Sequence, residues 1–281
     1  MIDEALLRIA AALERIAPQH ASEPDLSIAD TYFWSALEKR LIAIPHPKRV
    51  PLDRLLGIES AKEHLLENIW RFGTGLPANH AMLWGARGTG KSALVKSVHF
   101  SLVNDGLALK LIEISRDDIA NLPALAAVLR SRQERILLFI DDLSFERGDH
   151  SYKALKSFLD GGIAGDLTNC LVLVTSNRRH LINRETPAEG LELRPEETAD
   201  DQVALSDRFG LWLGFYPMDQ ATYLEIVRSY SKLLKLRPND KALDRQALQW
   251  AAKRGGRSGR VAWQFIVDRA GALGKSVSFE D

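Results

Sequence analysis

The chain has 281 residues, of which 46% are hydrophobic, and its 37 basic and 37 acidic side chains cancel in charge. This composition excludes a disordered chain, and the balanced charge removes any global electrostatic case for a nucleic-acid partner. A single cysteine excludes an intramolecular disulfide. Because there is neither a run of about 18 apolar residues nor a signal-peptide pattern, we expect a cytoplasmic protein without a membrane partner.

Residues 1–47 are predicted to form a helical N-terminal extension. Apolar residues recur with helical spacing over residues 2–17, and a second helix is predicted over Ile28–Leu41, ended by Pro45 and Pro47. The extension would either pack against the core or contact a partner or another subunit, and the sequence favours neither alternative.

Strands and helices are predicted to alternate through an αβα core at residues 48–217. Helices are predicted at Leu52–Arg71, 93–98, Ile119–Arg130 and Ser151–Leu159, and strands at 80–84, Leu107–Ser115, Arg135–Ile140, Cys170–Thr175 and Leu211–Tyr216. Alternation with apolar strands indicates an α/β fold, a parallel sheet with helices on both faces. The acidic stretch 185–201 is predicted to be a mobile surface insertion.

Only helices are predicted after Pro217, at Ala221–Leu236, Ala242–Arg254 and Gly259–Leu273. Residues 218–281 are therefore predicted to form a small helical subdomain that packs on the larger core.

Residues 85–92 match G-x-x-x-x-G-K-[ST], the phosphate-binding P-loop, and lie between a predicted strand and a predicted helix, as that motif requires. Glycines allow the backbone N–H groups to approach triphosphate oxygens closely, and the helix N-terminus favours the anion. Lys91 would reach the β- and γ-phosphates, and the Ser92 hydroxyl would coordinate Mg²⁺. The predicted nucleotide-binding residues of the loop are Gly85, Ala86, Arg87, Gly88, Thr89, Gly90, Lys91 and Ser92.

Two acids follow the apolar strand Arg135–Ile140. Asp141 would hold Mg²⁺, and Asp142 would orient or deprotonate an attacking water, with Glu146 as a weaker candidate base. Asn177 ends the next strand, where a parallel neighbour would place it beside the γ-phosphate. An acidic strand end that caps a helix, and an ordinary turn asparagine, are the alternatives.

Two arginines occur at defined places later in the chain. Arg208 lies in Ser-Asp-Arg-Phe-Gly before the last predicted strand, and Arg260 opens the last helix in Ser-Gly-Arg. With these motifs in this order, the sequence from about Leu52 to Leu273 resembles the AAA+ ATPase family. Longer strings, such as residues 175–181 and 205–216, resemble a bacterial group of predicted AAA+ ATPases of unknown function.

The resemblance implies a P-loop NTPase sheet in the order 5-1-4-3-2, sandwiched by helices, with a C-terminal helical lid. It also implies residue roles: Ile58 in the adenine pocket, Asn177 as sensor 1, Arg208 as an arginine finger acting in trans, and Arg260 as sensor 2. The implied function is a Mg-ATP-dependent ATPase that couples ATP binding and hydrolysis to self-association and to remodelling or loading of a protein client.

By this resemblance the Walker B motif is Ile136–Asp142, and it departs from the family pattern because Asp142 stands where most members have glutamate. Aspartate is one methylene shorter, and a slow member of the family has a similar Asp-Asp pair, so slow hydrolysis is expected. The alternative is an ATP-dependent switch or scaffold with little hydrolysis. A GTPase is disfavoured because no Asn-Lys-x-Asp motif is present.

The client is not specified by the sequence. Residues 115–123 lack the aromatic residue usual in protein-threading rings, which disfavours an unfoldase. Nucleic acid could be contacted through Lys253, Arg254, Arg257 and Arg260, but with overall neutrality we favour roles for them in ATP binding and solvation.

Overall fold

A computed structural model of the chain describes residues 25–145, 149, 151–161, 167–179, 181, 205–236 and 240–277. The predicted helix at 2–17, the candidate base Glu146 and the insertion at 185–201 lie outside these residues. No helix in the described segments combines the length and the apolar character that crossing a membrane requires.

The described strands form one sheet. They are β1 (Thr31–Ser35), β2 (Arg40–Ala43), β3 (Ala81–Gly85), β4 (Leu109–Ile114), β5 (Arg135–Ile140), β6 (Cys170–Ser176) and β7 (Leu211–Phe215). Their order is β2-β1-β4-β5-β6-β3-β7, and every pair is parallel except β1 with β2. Taken from β7 to β4, this is the expected 5-1-4-3-2 order, and the predicted α/β fold is confirmed.

The helix predicted over Ile28–Leu41 is wrong, because this segment forms the β1–β2 hairpin. β1 pairs with β4 and extends the sheet at that edge. Tyr32 and Trp34 are each 1% exposed and pack into the core on one face, which is the two-residue period of a strand. The aromatic and β-branched residues of β1 favour a strand, and this preference outweighs the helical spacing of the apolar residues.

Helices cover both faces of the sheet. On one face, α1 (Glu59–Gly73) and α2 (Lys91–Asn104) pack with a buried cluster that includes Leu65, Val95 and Phe139. The other face is covered by α3 (Leu122–Leu129) and α4 (Ser151–Leu159), with Leu125 and Leu155 in its core.

Two predicted helices have different bounds in the structure. Leu52–Arg54 is a separate 3₁₀ turn, and α1 begins at Glu59, since Gly57 has a φ of 77° that a helix does not allow. Arg116–Asn121 is likewise a 3₁₀ segment, and Pro123 lies in the first turn of α3, where proline is tolerated.

The last three helices are α5 (Gln220–Leu233), α6 (Asp240–Lys253) and α7 (Gly259–Ala272). They enclose a hydrophobic cluster of their own, built around Tyr223, Leu243 and Ile266, and Leu56 packs against it from the core. We call these three helices the lid. The predicted domain boundaries after residues 47 and 217 stay predictions.

Candidate functional site

The glycine loop lies between the end of β3 and the start of α2, at the carboxyl edge of the sheet. Gly85, Gly88 and Gly90 have φ values of 134°, 75° and 99°, which favour glycine. A Cβ atom on Gly85 would lie 1.9 Å from the carbonyl oxygen of Phe215, and the Ala86 N–H donates to that oxygen at 3.0 Å. The loop is thereby fixed against the end of β7.

The Lys91 side chain is 6% exposed and directed into the loop. Its Nζ donates to the carbonyl oxygens of Gly85 and Ala86 at 2.8 Å each, and to Oδ1 of Asn177 at 3.1 Å. Burial lowers the pKa of Lys91, and the two carboxylates that follow β5 oppose that shift. A cation therefore lies where anionic oxygens would approach the loop.

Asp141 accepts hydrogen bonds from two hydroxyl groups. Ser92 Oγ donates to Asp141 Oδ1 at 2.6 Å, and Thr175 Oγ1 donates to the same oxygen. Thr175 also accepts from the backbone N–H of Asp142 at 2.9 Å. Thr175 is 1% exposed and links β5 to β6, a role that we did not predict. The sequence signal that could have indicated this role is a hydroxyl side chain within an apolar strand, two residues before Asn177.

Asp142 and Asn177 contact each other directly, since Asn177 Nδ2 donates to Asp142 Oδ1. Asp142 has a φ of 51°, in the left-handed region that non-glycine residues seldom adopt. Because Asn177 also accepts from Lys91, a continuous chain of polar contacts joins the loop to the ends of β5 and β6. The structure brings together Lys91, Ser92, Asp141, Asp142 and Asn177.

A cavity of about 780 Å³ lies between the glycine loop and the lid. Its walls include Ala86, Arg87, Gly88 and Thr89 from the loop and Met218, Leu248, Ala251, Arg257, Ser258 and Arg260 from the lid side. Ser258 caps α7 by accepting from the Val261 N–H at 3.2 Å, and a Cβ on Gly88 would lie 2.8 Å from Ser258 Oγ. Arg260 is also near the loop, since its Cβ lies 3.5 Å from the position that a Cβ on Gly88 would take.

Ile58 lies beside Gly90 of the loop. Its Cδ1 is 3.7 Å from the position that a Cβ on Gly90 would take, and its side chain packs with the cluster below α1 and α2. It does not line the cavity between loop and lid.

Arg208 is not brought together with the other predicted site residues. It precedes β7, so it lies at the amino edge of the sheet, whereas the glycine loop lies at the carboxyl edge. Its guanidinium pairs through two nitrogens with the carboxylate of Asp160, and Nη2 lies 2.8 Å from Oδ2. This pairing lowers the pKa of Asp160 and raises that of Arg208.

Two basic side chains between α6 and α7, Arg254 and Arg257, have partners within the chain. Arg254 lies over the ring of Trp250, with Cζ 4.8 Å from the centroid, and Arg257 donates to the Met218 carbonyl at 3.4 Å.

A family model described as protein of unknown function (DUF815) matches residues 27–273. No curated protein matches the chain.

Three similar solved structures have low sequence identity and show the fold alone. The Thermotoga maritima RuvB Holliday junction branch migration motor is 19% identical, with a TM-score of 0.53, and the match covers 80% of this chain and 66% of that chain. Aeropyrum pernix Orc1 in complex with DNA is 14% identical, with a TM-score of 0.56 and coverages of 83% and 67%. Domain III of the Thermotoga maritima replication initiation protein DnaA is 18% identical, with a TM-score of 0.55 and coverages of 82% and 92%.

The chain spans about two thirds of the RuvB and Orc1 chains that it resembles. The described sheet agrees with the fold of these structures, and the chain belongs to the family described as protein of unknown function (DUF815), with the fold of the AAA+ ATPases.

Proposed function

We propose that the protein is a Mg-ATP-dependent ATPase. The observation that carries this proposal is the chain of polar contacts from Lys91 through Asn177 to Asp142, beside the Ser92–Asp141 pair. P-loop NTPases use a lysine, a hydroxyl and a strand-end carboxylate in these positions.

The residues present fit both ATP and Mg²⁺. The positive-φ glycines leave the loop backbone free of side chains where phosphate oxygens would be bound, and Lys91 supplies a buried cation. Ser92 Oγ and Asp141 Oδ1 are hard oxygen donors 2.6 Å apart, which suits a small divalent cation that keeps waters and phosphates as its other ligands. When bound, Mg-ATP supplies an electrophilic γ-phosphoryl group.

Asp142 is the proposed general base. Asn177 donates to its Oδ1 and so fixes the direction in which the carboxylate can accept a proton from water. Hydrolysis is proposed to be slow, because an aspartate reaches one methylene less far than the glutamate usual at this position.

The alternative function is an ATP-dependent switch or scaffold with little hydrolysis. It is favoured by the same contact, because a carboxylate oxygen that is engaged by Asn177 is less available to a water molecule.

We propose that the chain self-associates and that Arg208 acts on the site of an adjacent copy. β7 separates Arg208 from the loop within one chain, and its five residues span roughly 16 Å, which exceeds the reach of an arginine side chain. An arginine delivered to another copy would stabilise transition-state charge, an effect of about 10³–10⁵ in rate for arginine fingers.

The lid is proposed to convert nucleotide state into movement. Arg260 and Ser258 face the loop across the cavity, so a bound nucleotide would contact both sides and change how they pack.

ATP binding and hydrolysis are proposed to drive the remodelling or loading of a protein client. Two of the similar proteins are a Holliday junction branch migration motor and a complex with DNA, which leaves nucleic acid as a second candidate partner. Arg254 lies over the Trp250 ring and Arg257 donates to the Met218 carbonyl, which argues against these two arginines as that contact.

Binding of a fluorescent ATP analogue and steady-state phosphate release test the proposal together. Lys91→Ala is expected to abolish binding, and Arg208→Ala is expected to preserve binding but lose turnover. Turnover that is unchanged in Arg208→Ala would exclude the trans-acting arginine, and nucleotide binding that is unchanged in Lys91→Ala would exclude the site.

A further inference from the structure

Three side chains form a compact patch at the carboxyl edge of the sheet, beside the glycine loop. Trp84 is the residue before the last in β3, Tyr216 follows β7, and Arg179 follows β6. The rings of Trp84 and Tyr216 meet edge to face with centroids 5.9 Å apart, and Cζ of Arg179 lies 5.3 Å from the Trp84 ring centroid. We call Trp84, Arg179 and Tyr216 the aromatic patch.

The patch is fixed in position and open to solvent. Tyr216 is 71% exposed although Trp84 packs against the core beneath it. A Cβ on Gly214 would lie 3.0 Å from the Trp84 ring and 3.1 Å from the Tyr216 hydroxyl, so both aromatic side chains cover this glycine closely. An exposed aromatic side chain that is already ordered loses little entropy on binding, which is the property of an interface anchor.

A second patch lies at the amino edge of the same sheet. It consists of Asp160, Asp207 and Arg208, in which the two acids flank the arginine. We call these three residues the amino-edge patch. Leu159 and Phe209, which adjoin it in sequence, pack into the same core cluster as Trp84. The two patches therefore lie at opposite strand ends on one face of the sheet.

We propose that the aromatic patch of one copy of the chain docks on the amino-edge patch of the next copy. This inference rests on the proposed trans action of Arg208, and it names the surface that delivers this residue. Each copy carries both patches, so the contact is heterologous and repeats head to tail.

The charges and the position of the patches favour a second copy as the occupant. Arg179 is a cation, and the amino-edge patch has one net negative charge because Arg208 balances only one of its two acids, so contact brings opposite charges together. Arg208 can reach a γ-phosphate site only if the amino edge of its copy meets the carboxyl edge of another, and Tyr216 is exposed at that edge.

Mixing two inactive variants tests the proposal. Lys91→Ala copies lack a working loop but keep Arg208, and Arg208→Ala copies have the reverse defect. Mixing them is expected to restore phosphate release, because an Arg208→Ala copy supplies the carboxyl edge and a Lys91→Ala copy supplies the amino edge. If mixing restores nothing, the shared site itself fails and the present inference fails with it.

Tyr216→Ala is then placed on one copy at a time. On the Arg208→Ala copy it is expected to lower the restored rate by about tenfold or more, the size typical of an aromatic interface anchor. On the Lys91→Ala copy the loss should be clearly smaller. Restored rates that are unaffected, or affected equally on both copies, would overturn the inference while leaving the shared site intact.

Reversing the charge of Arg179 provides a second variant, which leaves the two aromatic side chains of the patch in place. Arg179→Glu on the Arg208→Ala copy is expected to lower the restored rate, and Asp207→Arg on the other copy should recover part of it. Absence of any recovery would contradict the pairing of the two patches.

Trp70→Ala is the matched control, because Trp70 is 44% exposed and lies on α1, on the opposite face of the sheet. It should leave the restored rate unchanged on either copy, and thermal melting should show that each variant is folded. A fluorescent oligothymidine strand tests nucleic acid as the occupant. If Tyr216→Ala weakens binding of that strand and spares the restored rate, the inference is wrong.

Discussion

At the scale of single residues, the neighbouring carboxylates Asp141 and Asp142 have different partners. Asp141 accepts hydrogen bonds from Ser92 and Thr175, which hold it against the glycine loop. Asp142 has a left-handed backbone conformation and accepts from Asn177 instead. This difference supports the proposal that Asp141 binds a cation beside the loop and that Asp142 acts on a water molecule.

Changing Asp142 tests its role. Asp142→Asn is expected to lower phosphate release by about 10²–10⁴ while nucleotide binding is retained, since the base is lost and the shape is kept. Asp142→Glu should release phosphate faster than the wild type, because the longer side chain brings the carboxylate nearer to the water. Equal rates for the wild type and Asp142→Asn would exclude Asp142 as the base.

Thr175 is expected to position Asp141. Thr175→Val keeps the shape of the side chain but removes the hydroxyl that donates to Asp141 and accepts from the Asp142 N–H. We expect a loss of about 1–3 kcal/mol in stability and a higher Mg²⁺ concentration for half-maximal phosphate release. Thr175→Ser should restore both properties, and an unchanged Mg²⁺ requirement in Thr175→Val would contradict this role.

Stability should depend on pH through His99. This side chain is 4% exposed, its Nε2 lies 3.2 Å from the Leu109 carbonyl, and burial lowers its pKa from 6.5 to about 4. The neutral ring is favoured in the folded state, so its contribution is complete above pH 6.5 and is lost as the pH falls towards 4. The loss amounts to about 3 kcal/mol. Urea titrations of His99→Gln should show a weaker pH dependence than the wild type over this range, and equal slopes would contradict the assignment.

At the scale of secondary-structure elements, the β1–β2 hairpin adds two strands to the expected five-strand order. It buries Tyr32 and Trp34 against the core, so it is an integral part of the sheet. Trp34→Ala is expected to destabilise the fold by about 3–5 kcal/mol, the usual cost of truncating a buried aromatic side chain.

Leu37→Ala is the control for that substitution, since Leu37 is 95% exposed between the two strands. It should change stability by no more than about 0.5 kcal/mol. Similar unfolding midpoints for the two variants, measured by chemical denaturation, would contradict the packing of the hairpin.

The sequence predicts the elements whose signals are local. The glycine loop needs only residues 85–92 and their flanking strand and helix, and the apolar run of β5 followed by two acids is equally local. The hairpin was predicted wrongly because its aromatic residues fit a helical spacing nearly as well as an alternating one. The Thr175–Asp141 and Arg208–Asp160 contacts join residues 34 and 48 positions apart, so they depend on how the strands and helices pack.

At the scale of the whole molecule, the two halves of the proposed catalytic site lie at opposite edges of one sheet. The loop and its carboxylates occupy the carboxyl edge, and Arg208 occupies the amino edge, paired with Asp160. In the proposed assembly, each copy supplies the glycine loop to one site and Arg208 to the site of a neighbouring copy. Turnover is expected to require association, so that ATP hydrolysis reports on assembly.

Steady-state phosphate release per copy, measured against protein concentration with Mg-ATP in excess, tests this account most directly. The account predicts a low rate per copy in dilute solution that rises with concentration to a plateau and is absent in Lys91→Ala at every concentration. A rate per copy that stays constant on dilution into the monomeric state would contradict the shared site. Release no greater than that of Lys91→Ala at any concentration would contradict the ATPase itself.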